Sequence, residues 1–135
     1  MVFILINFIL IAIFNSNPKS PQDFIWKNRI LIIQDNESDS SWFQQDLKKN
    51  LTDRKLLIFQ FKGGQLERST SEHQIKTEDF LELLESKNSK HNAWILIGLD
   101  GGVKNFGEKR PLPEEIFKII DAMPMRQSEM KKSNR

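Results

Sequence analysis

The apolar positions of this chain follow two rhythms. Arg29–Gln34 (RILIIQ), Lys55–Phe61 (KLLIFQF) and Trp94–Leu99 (WILIGL) are short, nearly continuous apolar runs rich in branched side chains. Such runs suit strands buried on both faces, the habit of a parallel or mixed sheet. Between them the period lengthens. Ser40 or Ser41 can cap a helix over Trp42–Asn50, with Phe43, Leu47 and Asn50–Leu51 on one side and charges opposite. Thr77, Glu78 and Asp79 open a second helix, a threonine cap with two acids in the first turn. Phe80, Leu81, Leu83 and Leu84 give it an apolar face. Pro113 suits a first helical position, and Ile116, Phe117, Ile119, Ile120 and Met123 follow as a buried stripe. Pro124 then stops that helix.

The connections complete the order. Gly63-Gly64 ends the second strand, and Glu67–Lys76, poor in apolar residues, reads as an exposed loop. Asp100-Gly101-Gly102 supplies positive-φ residues for a tight hairpin, so Val103–Phe106 should return antiparallel to the third strand. The expected order is β-α-β-α-β-β-α, a four-stranded mixed sheet with helices on both faces. That is the order of a thioredoxin-like, three-layer α/β domain. Parallel pairing of the first two strands is required for the crossover between them.

The ends of the chain read differently. Met1–Phe14 is apolar except for Asn7, and it is shorter than the ~20 residues a spanning helix needs. It fits the core of a secretory signal or an uncleaved anchor, although no basic residue precedes it and no Ala-x-Ala site follows. The other reading is an element packed on the core. Asn15–Gln22, with two prolines and no apolar residue, reads as linker, so residues 1–20 are expected to be signal or anchor plus linker. The domain proper is expected over 28–130, with a basic tail at 131–135.

Charge excludes little but cysteine excludes much. The net charge is +2, which leaves no footprint of a nucleic-acid binder. Residues 124–135 alone carry +3, from Arg126, Lys131, Lys132 and Arg135 against Glu129. The chain has no cysteine, which removes thiol catalysis, disulfides and cysteine–zinc sites.

The segments LIGLDGGVK, P-x-P-E-E-I-F and IDAMPMRQSEM, with Asn28-Arg29-Ile30-Leu31-Ile32 and Asp53-Arg54-Lys55-Leu56, resemble a thioredoxin-like family of P-DUDES type over residues 28–130. That family occurs in many bacterial secreted proteins and in animal sushi-repeat-containing and coiled-coil-domain-containing matrix proteins. Leu99 and Phe106 depart from it at positions where cations are common. The resemblance implies a fold similar to peroxiredoxins and secreted or periplasmic placement, and it implies no established activity.

Catalytic chemistry finds no support in the residues. The place after the first strand, where thioredoxins keep their cysteines, holds Gln34–Trp42, without a thiol. No proline precedes the Trp94 strand. Asp35, Glu37 and Asp39 alternate as in a calcium loop, but the glycine and late glutamate such a loop needs are out of register. His73 and His91 lack ligand-pair spacing and read as exposed loop residues. Gly63-Gly64 is not a phosphate loop. No catalytic residue, cofactor or metal is expected.

Two function classes survive. The favoured one is a non-catalytic, extracytoplasmic binding or structural domain meeting a protein or matrix partner, with membrane anchoring open to residues 1–14. The other is a cysteine-free peroxiredoxin-like relative acting as an enzyme or redox-linked accessory. The candidate interaction surface is Asp100, Gly101, Gly102, Lys104, Met125 and Arg126. Arg126 has two readings: it caps helix carbonyls or pairs with an acid such as Asp121, or it faces the partner.

Overall fold

The computed structural model describes residues 17–87 and 93–134. Met1–Phe14 and His91 lie outside them. The described elements are β1 (Arg29–Gln34), α1 (Lys48–Asp53), β2 (Leu56–Lys62), β3 (Gln65–Ser69), α2 (Thr77–Glu85), β4 (Trp94–Ile97), β5 (Val103–Gly107), α3 (Pro113–Asp121) and α4 (Pro124–Ser133), with short 3₁₀ turns at Pro21–Phe24, Ser41–Phe43 and Gln45–Leu47. The chain is a mixed α/β unit around a five-stranded sheet in the order β3-β2-β1-β4-β5. β1 and β2 pair in parallel, from Arg29↔Leu56 to Gln34↔Phe61. The β1–β4, β2–β3 and β4–β5 pairs are antiparallel.

The strand count corrects the sequence reading, which expected four. Gln65–Ser69 pairs with β2 through Gln60↔Arg68 and Lys62↔Gln65, so part of the expected loop at 67–76 is strand. Gly63 and Gly64 take φ of +56° and +76°, the left-handed pair that a two-residue hairpin requires. β3 escaped notice because it is an edge strand. Its sequence QLERS has one apolar residue, enough for a strand covered on so little of its surface.

Helix limits also differ. The expected helix over 42–50 is broken at Gln44, whose ψ of 138° is extended, and the regular helix starts only at Lys48. Trp42 is the reason: it is 1 % exposed, and its indole N–H donates to Pro111 O at 3.0 Å, which fixes the segment by side chain rather than by ladder. Thr77 is the first residue of α2 rather than its cap. α3 ends before Pro124, as expected, with Met123 extended; the addition is α4, which Pro124 opens as its first residue.

The core lies on both faces of the sheet. Ile30 and Ile32 of β1 join Phe59, Phe61, Ile95 and Ile97 with Phe80 and Leu84 of α2 on one face, and Phe24 closes that cluster. Leu31 and Ile33 join Leu56, Ile58 and Leu96 with Trp42, Leu51 of α1, and Ile116 and Ile120 of α3 on the other. The strict alternation along β1 is why its run is apolar throughout. Packing begins upstream of Asn28. Lys19 bridges to Ile75, with Lys19 N–H donating to Gln74 O at 2.8 Å, and Pro21 and Phe24 are buried.

Candidate functional site

The end of the sheet where β1 and β2 begin carries a network of charges. Arg29, the first residue of β1, is 1 % exposed. A guanidinium so placed must find oxygen acceptors. Its Nη1 donates to Arg54 O at 2.8 Å and to Glu129 Oε2 of α4 at 3.3 Å. Arg54, just past α1, makes a two-toothed contact with Asp121 at the end of α3, Nε to Oδ1 at 3.0 Å and Nη2 to Oδ2 at 2.8 Å. Its guanidinium also lies 4.3 Å from the Phe117 ring centre.

Arg126 joins the same network. It is the one buried residue of α4, its Nε donates to Asp121 Oδ1 at 3.1 Å, and its Nη1 donates to Asp53 O at 2.8 Å. The helix-end carbonyl and the carboxylate are the partners that the capping and pairing reading names. Glu129 and Met130 are the half-buried neighbours of Arg126 on α4, so this helix turns charges inward. Met125 points out, 40 % exposed. Burial pushes the Asp121 carboxyl up, but hydrogen bonds from Arg54 and Arg126 outweigh it and hold the group below its ordinary 3.8.

The hairpin half of the expected surface sits at the same end of the sheet, because β4 runs antiparallel to β1. Asp100 Oδ2 accepts from Lys104 Nζ at 2.8 Å, and Asp100 Oδ1 accepts from Gly102 N–H at 2.9 Å. The Lys104 contact, then the Gly102 one, holds the Asp100 carboxyl low. Gly101 has φ +82°, and a Cβ there would stand 2.8 Å from Ile25 Cδ1. Gly102 is not in the left-handed region, so only one of the two glycines is needed for its backbone. Asp100, Gly102 and Lys104 are thus brought together, and Arg126 belongs to the arginine network.

At the opposite end, the loop after β1 is closed by a residue the sequence reading passed over. Arg110 reaches Asp35 at 3.0 Å, Glu37 at 2.9 Å and Asp39 at 3.4 Å. The acidic alternation of 35, 37 and 39 is answered by a guanidinium rather than laid out as a cation loop. Burial raises Asp35, but the Glu37 amide and Arg110 outweigh it and leave it below its ordinary value. Ser41 donates its hydroxyl to Asp39 at 2.7 Å. His73 is exposed and lies edge-on to Phe24. Among the described residues no group of three or more His, Asp or Glu is placed to hold a metal ion.

The sequence signal for the missed partners was the position of Arg29. A charge written directly against an apolar run must be buried or must end the strand, and Arg29 is buried. The family described as Domain of unknown function (DUF4174) matches residues 20–129, ending on Glu129 of this network. The chain belongs to that family. No match to the chain was found among curated proteins or among solved structures. Among the described residues, no helix is long and apolar enough to cross a membrane.

Proposed function

We propose that this DUF4174 chain is a non-catalytic, extracytoplasmic domain of thioredoxin-like, three-layer type that binds a partner or serves as a structural unit. The order β2-β1-β4-β5, with β1 parallel to β2 and β4 antiparallel to β1 and β5, supports the thioredoxin-like reading, with β3 added at the outer edge. The likeness to the P-DUDES type family, together with an apolar Met1–Phe14, supports export or anchoring.

The observation that carries the non-catalytic reading is the content of the turn after β1. Thiol enzymes of this type need a thiolate there. This chain has no cysteine, Asp35 is engaged by Arg110, and the Ser41 hydroxyl is spent on Asp39. The partner surface offered is the hairpin face of Asp100 and Lys104, shaped by Gly101 and Gly102, and the outward Met125. Arg126 acts there as a positioning residue.

The test has two arms. Purified full chain should show no peroxide consumption with dithiothreitol and no insulin disulfide reduction above buffer; turnover in either assay overturns the non-catalytic reading. Sequencing of the mature N-terminus from fractionated cells should find the chain in the envelope or outside. Recovery from the cytoplasm with Met1 intact overturns the placement.

A further inference from the structure

A groove of about 560 Å³ opens where the segment carrying Trp42–Thr52 crosses the first residues of β2. β3 does not cover this part of the sheet. It ends at Ser69 opposite Phe59, and Thr70 then accepts the Ile58 N–H on its hydroxyl at 2.9 Å. The backbone edge of Leu56 therefore faces the groove without a strand neighbour on that side, while its side chain stays in the core. Phe43 forms an aromatic wall, with the Arg68 guanidinium 5.7 Å from its ring centre.

The polar lining has one sign. Lys48 and Lys55 are the charged residues of the wall, and no carboxylate is among the described residues that line it. Lys55 is held by its backbone: its N–H donates to Thr52 O at 3.0 Å, and its carbonyl accepts from Arg29 N–H at 2.7 Å and from the Asn28 amide at 3.4 Å. This clamp keeps Lys55 at φ +51°, a conformation that favours glycine. Its side chain is 52 % exposed and touches Glu129 only at 4.0 Å, so the ammonium retains capacity for an anion.

We propose that this groove binds a small organic anion with a flat apolar body, of the aromatic carboxylate class. The volume falls in the range of about 300–1,000 Å³ typical of small-molecule clefts. The ring would lie on Phe43 against the open edge of β2, and the carboxylate would take Lys48 and Lys55 as partners. The inference deepens the binding-domain reading and rests on it. Neither the turnover assay nor the N-terminal sequencing involves the groove, so the failure of one is separable from the failure of the other.

The test is a titration of the ¹⁵N-labelled full chain with 2-naphthoate, its neutral isostere 2-naphthamide and the cation 2-naphthylmethylammonium. Expected are saturable shifts at the amides of Phe43, Leu57 and Thr70 with 2-naphthoate, and at least tenfold weaker binding of the other two. Lys48→Gln combined with Lys55→Gly should weaken 2-naphthoate at least tenfold at unchanged or higher Tm, since glycine suits the backbone at 55. Equal binding of the amide and the carboxylate, shifts confined to another face, unchanged affinity in the double variant, or no shift at millimolar ligand each overturns the proposal.

Discussion

Arg29 and Glu129 stand one hundred positions apart in sequence and meet at 3.3 Å, joining the first residue of the first strand to the last helix. The contact matters because Arg29 is almost wholly buried and its Nε has no hydrogen-bond partner among the described residues. Replacing Glu129 by Gln removes the carboxylate that faces Arg29, Arg126 and Lys55. Breaking one side of a fully buried ion pair costs about 3–5 kcal/mol. Glu129 is partly solvated, so Glu129→Gln should cost roughly 2 kcal/mol in urea unfolding. Amide exchange should speed up across α4 before it does across β1.

Arg126 offers a sharper test of its inward role. Arg126→Ala exposes Asp53 O and removes one of the three hydrogen bonds that Asp121 accepts, and should lower stability by about 2 kcal/mol. Arg126→Lys should recover less than half of that, because an ammonium cannot serve a carboxylate and a carbonyl with the fixed fork of a guanidinium. Thermal or urea unfolding of the pair decides it.

Asp121 sets an acid limit. Its folded pKa is lowered, so its contribution is fully present above the unfolded value near 3.8 and is lost as pH falls through the folded value. Stability measured from pH 5 downward should therefore begin to fall below about 4. Asp121→Asn should start lower and lose less over the same window. Identical slopes in the two proteins would remove Asp121 from the account.

Gln60 is a place where the chain can be improved. It lies on the face of β2 that also carries Leu56 and Ile58, it is 1 % exposed, and its Nε2 has no hydrogen-bond partner among the described residues. A buried donor left unpaired costs about 1–3 kcal/mol. Gln60→Met keeps the volume and removes the donor, so it should raise stability by about 1 kcal/mol. A drop of similar size would mean that the amide is satisfied.

Gly101 and Gly102 should behave differently despite their adjacency. Gly101→Ala meets both the left-handed backbone and the Ile25 side chain, and should cost about 2 kcal/mol. Gly102→Ala meets Asp100 Oδ1 at 3.2 Å and Lys104 Nζ at 3.5 Å, with no left-handed backbone to strain, and should cost less than half as much by Tm.

These residues also mark what was legible in the sequence. β1 has the limits that its apolar run predicted, and α3 begins at the expected proline, because core strands and capped amphipathic helices are written locally. β3 was not legible from hydrophobicity, since an exposed edge needs no apolar stripe, although the Gly63-Gly64 pair carried the turn. α4 is similar: its inward face is Arg126 and Glu129, a pattern that periodicity reads as solvent-facing. Of the candidate surface, the Asp100–Lys104 turn could be read within five residues of chain. The meeting of Arg29, Arg54, Arg126, Asp121 and Glu129 could not, because ion pairs between distant segments leave no local period. Arg110 and its three acids escaped for the same reason.

The inward charges of α4 give the fold a built-in order of assembly. Arg29 is made before either of its acceptors: Arg54 O follows 25 residues later, and the carboxylate that faces it comes a hundred residues later. A chain cut short before Glu129 can form its strand pairs and still hold a buried guanidinium with no counter-charge from α4. In the growing polypeptide, the charge network around Arg29 is therefore complete only once Glu129 has been added.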